Sequence, residues 1–125
     1  MSTIKVSTLL AADGSTTTEP SIPALDQRMA KAWVCFSEAS GSILDSYGVS
    51  SLTDVDVNNT KINFTTAFLN TSYCLVANAA NSTSNPAEHN ASVIPVSTTQ
   101  CQVELYDSTT GPVASDYVAV VAFAN

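Results

Sequence analysis

The sequence predicts an all-β chain folded as an antiparallel β-sandwich, jelly-roll or immunoglobulin-like, with an extended N-terminal arm. Strict two-residue alternation runs through its apolar stretches: Ile62 and Phe64 share one face, with Lys61, Asn63 and Thr65 opposite, which is the period of a half-buried strand. Turn residues break those stretches at short intervals. No helical stripe is long enough to cover a sheet. The pattern amounts to roughly eight or nine strands at sandwich or barrel spacing.

The order of elements begins with an arm. Thr3 to Thr8 alternates, with Ile4 and Val6 on one side. Ala11 to Pro20 is a small, polar linker whose turn is Asp13-Gly14. Pro23 to Ala30 has a proline suited to a first helical turn, followed by Leu25, Arg28 and Met29 at helical spacing. Residues 1–30 are therefore read as arm and linker, and residues 31–125 as the sandwich domain. The arm lies either on a neighbouring subunit or on its own domain.

The stretch from Lys31 to Ala80 supplies four or five strands. Trp33 and Cys35 fall on one face of the first, Val34 and Phe36 on the other. Gly41 and Gly48 mark breaks. Asn58-Asn59-Thr60 and Asn70-Thr71-Ser72 are read as tight turns, since Asn tolerates the left-handed conformation. Asn81 to Asn90 is the longest polar loop, and loops on a β-scaffold are where binding usually resides. Asn81, Ser82, Asn85, Glu88, His89 and Asn90 are its candidate binding residues. A plain solvated connection is the alternative.

Ser92 to Thr98 is a strand interrupted by Pro95, hence an edge strand or a bulged one. Gln100 to Tyr106 turns Cys101, Val103 and Leu105 one way, Gln102 and Glu104 the other. The last strand, Asp116 to Ala124, is apolar on both faces, and one sandwich core covers only one. Another copy of the chain is a natural cover for the second face. Ile4, Val6, Val118, Val120 and Ala122 are the candidate subunit interface.

Composition narrows the function. The 125 residues are 45% apolar but only 12% charged, and the net charge is −7 with four basic residues. No basic patch exists to neutralise phosphates, so nucleic acid and anionic membrane are not expected partners. The C-terminal apolar run is too short to span a bilayer, and the opening residues have no secretory signal. Five Asn-x-Ser/Thr sequons, at Asn58, Asn63, Asn70, Asn81 and Asn90, are what a Ser- and Thr-rich chain carries by chance.

The chemistry-bearing residues are few. Cys35, Cys74 and Cys101 are odd in number, and with His89, the single histidine, they lack zinc-site spacing. All three are expected as reduced thiols, mostly buried. Asp54 and Asp56, two apart on a strand, share a face that is either solvated or part of a calcium site. Glu88-His89 are adjacent in sequence, which does not make a catalytic dyad. No nucleophile elbow, P-loop or dinucleotide fingerprint occurs. Neither a catalytic residue nor a cofactor or metal is expected.

Four ordered words carry a family likeness: Ala-Trp-Val-x-Phe (Ala32 to Phe36), Val-Ser-Ser-Leu-Thr-Asp (Val49 to Asp54), Asn-Phe-Thr-Thr-Ala (Asn63 to Ala67) and Asn-x-x-Tyr (Asn70 to Tyr73). Together they resemble a domain of tail fibres and small virion proteins of bacteriophages, especially marine ones. The likeness covers about fifty residues and, more loosely, the opening near Met1. Cys35 departs from it, since a polar residue such as Asn is expected there.

The resemblance implies a non-enzymatic structural or adhesive protein, made in a host cytoplasm and located on the virion, and it points to a homotrimer. Tail or capsid proteins of the virion would be its neighbours, and a host surface glycan or protein its target. Three functions follow: a tail-fibre-like protein presenting loops for host attachment, a capsid decoration protein binding coat subunits, and a carbohydrate-binding module or small hydrolase. The last has least support, because Trp33 is expected inside a strand. A short chain with its own Met1 suits a stand-alone virion protein.

Overall fold

A computed structural model describes residues 6–8, 10–14, 28–80 and 89–124. Among the described residues nine strands follow in order: β1 (Ala32–Ser37), β2 (Ser42–Tyr47), β3 (Val49–Asp56), β4 (Asn59–Phe64), β5 (Cys74–Ala80), β6 (His89–Ser97), β7 (Gln100–Asp107), β8 (Gly111–Pro112) and β9 (Tyr117–Phe123). All pairings are antiparallel. The first sheet has the order β2-β1-β9-β5. The second has β3-β4-β7-β6, with β8 beside β7. The fold is the expected antiparallel sandwich.

The alternation read in the sequence places the core. Ala32, Val34 and Phe36 of β1 and Val118, Val120 and Ala122 of β9 face inward from the first sheet. Ile62 and Phe64 of β4 and Cys101, Val103 and Leu105 of β7 meet them from the second. At roughly 1.5–3 kcal/mol per fully buried Val, Leu, Ile or Phe side chain, this shared layer is the main favourable term holding the sheets together.

Several expectations are corrected here. Val118, Val120 and Ala122 lie in the core, 0%, 2% and 1% exposed, so they are not a subunit interface. The face of β9 left for a partner is the alternate set, Tyr117, Ala119, Val121 and Phe123, each partly buried. The tight turn sits at Val57-Asn58, one residue early, and Asn59 already opens β4. Buried Asn58 fixes that turn: its amide donates to Leu105 O at 3.1 Å, and its carbonyl accepts from Leu105 N at 2.8 Å. His89 and Asn90 belong to β6, not to a loop. Asn81, Ser82, Asn85 and Glu88 lie outside the described residues.

In the arm, Ile4 lies outside the described residues. Val6 to Thr8 form no strand, and Val6 is 64% exposed. The turn at Asp13-Gly14 is present, closed by Gly14 N to Ala11 O at 2.9 Å. The proposed helix over Pro23 to Ala30 lies mostly outside the described residues, and Arg28 and Met29 form a turn and bend before β1. Pro95 sits where it was expected, on the edge strand β6, beside a register shift between Pro95 and Ser97.

Candidate functional site

The two sheets turn opposite chemistry to the outside. Residues paired across antiparallel strands share a face. On the first sheet the outward row is Tyr47–Trp33–Val121–Val76, one residue from each of β2, β1, β9 and β5. Phe123 and Cys74 lie in the row beyond Val121 and Val76, and Asp45, Cys35, Ala119 and Asn78 in the row before. Of these strand positions only Asp45 is charged. Val76 is 57% exposed and Tyr47 41%. Trp33 is in a strand as expected, and it lies on this outward side, partly buried.

On the second sheet the outward side is built of amides and hydroxyls. Asn63 Nδ2 donates to Ser51 Oγ and Thr53 Oγ1, each at 3.0 Å, and Gln100 Nε2 donates to Asn63 Oδ1 at 2.6 Å. Lys61, Gln102 and Glu104 continue that side. Ile94 and Tyr106 are exposed apolar residues on that side, and Val55 of β3 and Val96 of β6 are exposed where the register shifts.

The four sequence words fall on β1, on β3, on the end of β4 and on the segment before β5, so they supply residues to the core and to both outer faces. Phe64, Phe68 and Tyr73 form an aromatic cluster, with ring centroids 4.7 Å apart for Phe64–Phe68 and Phe68–Tyr73 and 5.7 Å for Phe64–Tyr73. The Tyr73 hydroxyl lies 3.0 Å from Ser97 O and 2.6 Å from Gln100 O, pinning the β6–β7 turn. Burial foremost raises its pKa to about 12, so it stays a neutral donor. Cys35, the departure from the pattern, keeps a polar contact: its Sγ lies 3.3 Å from the Tyr117 hydroxyl.

Beside this cluster a groove of about 500 Å³ opens at one end of the sandwich, lined by Lys31, Tyr47, Gly48, Thr65, Phe68 and Leu69 among others. Gly48 shapes its wall. Its φ is +67°, a Cβ there would lie 2.7 Å from Lys31 O, and its carbonyl accepts from Thr65 N at 2.9 Å. Leu69 is 81% exposed at the rim.

The carboxylates are arranged differently from expectation. A register shift between Asp54 and Asp56 separates them: Asp54 pairs with inward Thr60, Asp56 with Asn59. They do not share a face, so the side-by-side arrangement expected of a calcium site is not formed. Asp54 instead lines a cavity of about 310 Å³ with Glu38, on the β1–β2 turn. Glu38 Oε2 is buried without a hydrogen-bond partner. Desolvation first, and the charge of Asp54 second, raise the Glu38 pKa to about 7. Sequence reading missed Glu38, since nothing in Ser37-Glu38-Ala39-Ser40 distinguishes a solvated turn from one folded against a carboxylate.

His89 Nδ1 lies 2.6 Å from Ser115 Oγ, and His89 pairs with Asp107 across β6 and β7. These three residue types invite comparison with a hydrolytic triad. Ser115, however, is 0% exposed, and its carbonyl accepts from Glu38 N and Ala39 N at 2.9 and 3.2 Å. Asp107 Oδ1 accepts from Thr109 N at 2.6 Å, Thr109 Oγ1 at 2.5 Å and Thr110 N at 2.9 Å, closing its own turn. The cluster fastens β6, the β1–β2 turn and the approach to β9. It offers no accessible hydroxyl to a substrate. Among the described residues no group of three or more His, Cys, Asp or Glu is placed to hold a metal ion.

Fold and surface together define the class: an antiparallel β-sandwich with one apolar and one polar outer sheet face. No protein-family model, curated protein or solved structure matches the chain.

Proposed function

We propose that this chain is a non-enzymatic structural protein of a phage-type virion, exposed on the particle and self-assembling. The observation that carries the reading is the contrast between the two outer faces. A sheet face that is apolar and nearly uncharged on a chain of net charge −7 is suited to contact with other subunits. The amide and hydroxyl face is suited to water. The four virion-protein-like words support the same reading. Three copies is the number the resemblance implies.

Gold-labelled antibody against the chain, applied to purified particles, tests this. Label at the tail supports the fibre-like, host-attaching form of the reading, and label over the shell supports a decoration protein bound to coat subunits. A chain found only in the particle-free fraction overturns both.

One observation favours a second reading. Trp33 and Tyr47 are paired neighbours on the outer sheet face, where aromatic rings can stack on sugar rings. A carbohydrate-binding surface predicts quenching of Trp33 fluorescence by oligosaccharides and its loss in Tyr47→Ala.

A further inference from the structure

We infer that the outer face of the β2-β1-β9-β5 sheet is a self-association surface, and that its occupant is a second copy of the same face, related by a two-fold axis. This rests on the self-assembly reading above and names the surface and the partner, with two copies where the resemblance implies three.

The first argument is the pattern of the row. Its members run Tyr47, Trp33, Val121, Val76, two large aromatics followed by two smaller aliphatics. A two-fold axis along the strands, between β1 and β9, sets Tyr47 of one copy over Val76 of the other and Trp33 over Val121. Large side chains then meet small ones across the whole row. Such self-complementarity is what an isologous contact requires, and facing sheets pack about 10 Å apart when their side chains interdigitate.

The second argument is charge. Two copies at −7 each repel, and the repulsion is least where the contacting surface carries least charge. The strand positions of this face hold only Asp45. That residue lies in the row with Asn78, and the same axis brings Asp45 over Asn78 rather than over its own symmetry mate. The second sheet's outer side holds Lys61 and Glu104 together with its bonded amides, and lacks a comparable row.

Size sets the strength. Four strands at about 4.8 Å spacing and six residues at about 3.3 Å rise give a face of roughly 400 Å² in projection. Two such faces bury on the order of 800–1,000 Å², below the roughly 1,200 Å² at which stable specific interfaces begin. The pair is therefore a reversible dimer, filling with concentration, rather than an obligate one.

The experiment is a light-scattering mass series on the intact chain from micromolar to sub-millimolar concentration. The mass should climb from the 13.0 kDa of one chain toward twice that value. Val76→Asp changes an exposed position on an edge strand, and it should weaken association by at least about tenfold while circular dichroism stays that of the wild type. Tyr47→Asp should do the same from the opposite edge. Ile94→Asp, at a similarly exposed site on the other sheet, should leave association unchanged. A wild-type mass of one chain at every concentration overturns the inference. So does a three-chain mass, or undiminished association of folded Val76→Asp. Pairing without any particle label would leave this surface standing and remove the virion reading; particle label without pairing would do the reverse.

Discussion

Glu38 on the β1–β2 turn and Asp54 on β3 bring two carboxyl groups from different sheets into one cavity, and the pair has no counterpart in sequence spacing. Glu38 titrates near neutrality because its carboxyl is desolvated and faces Asp54. Its folded value, about 7, stands above the ordinary 4.5. Between those two values the folded chain holds a proton that the unfolded chain has released. The contribution of Glu38 to stability therefore falls as pH rises from about 4.5 to about 7, and levels off above. Denaturant unfolding across that range should show the decline. Glu38→Gln should flatten it and be more stable than wild type at pH 8. An unchanged slope in Glu38→Gln would remove Glu38 as the cause.

Asp107 acts in the opposite direction. Hydrogen bonds from Thr109 and Thr110 hold its carboxylate down to about 2, below the ordinary 3.8. Its contribution is present above 3.8 and is lost as pH falls toward about 2. Asp107→Ala should lower the melting temperature at pH 7 and shrink the loss that wild type shows between pH 4 and 2. Thermal melts at the two pH values check both.

Gly48→Ala places a side chain where φ is +67° and the new Cβ meets Lys31 O at 2.7 Å. The expected cost is roughly 2 kcal/mol or more, from conformational strain and the clash together. Equilibrium unfolding measures it.

The three thiols separate by exposure. All are free, with Cys74 exposed, Cys35 partly buried and Cys101 buried. The expectation of mostly buried thiols is corrected at Cys74, which faces outward on the edge strand β5. Burial foremost pushes Cys101 up to about 12. A thiol reagent should modify Cys74 rapidly in the folded chain and Cys101 only on unfolding. Rapid reaction of all three would contradict the sandwich packing around β7.

Val120, a subunit-interface candidate from its sequence position, is a core residue in the fold, and that sets the outcome of Val120→Asp. Val120 is 2% exposed in the core, so the unpaired charge should cost roughly 3 kcal/mol or more and unfold the chain, rather than only disperse an oligomer.

The fold was legible because burial alternates in the sequence as it does in space. Ile62 and Phe64, or Cys101, Val103 and Leu105, need only a period of two to be placed inward. Pro95 similarly announced an edge strand and a break in register. Which side of β9 faces the core was not legible, because Val118, Val120 and Ala122 differ little in polarity from Tyr117, Ala119, Val121 and Phe123. Only pairing with β1 and β5 decides it. The bulge that parts Asp54 from Asp56 has no strong signal in Thr53-Asp54-Val55-Asp56. Neither Ser115 nor Glu38 stood out, since their partners are brought to them by topology. Seventy-seven positions of chain separate Glu38 from the Ser115 carbonyl that anchors its turn.

Concentration-dependent hydroxyl-radical footprinting tests the opposition of the two faces most directly. Trp33 and Tyr47 report on the apolar face, and Tyr106, 52% exposed on the other sheet, is the internal control. Oxidation of Trp33 and Tyr47 should fall as the chain is concentrated, while that of Tyr106 holds constant. Protection of Tyr106 with Trp33 and Tyr47 unchanged would place the contact on the wrong sheet and contradict the assignment.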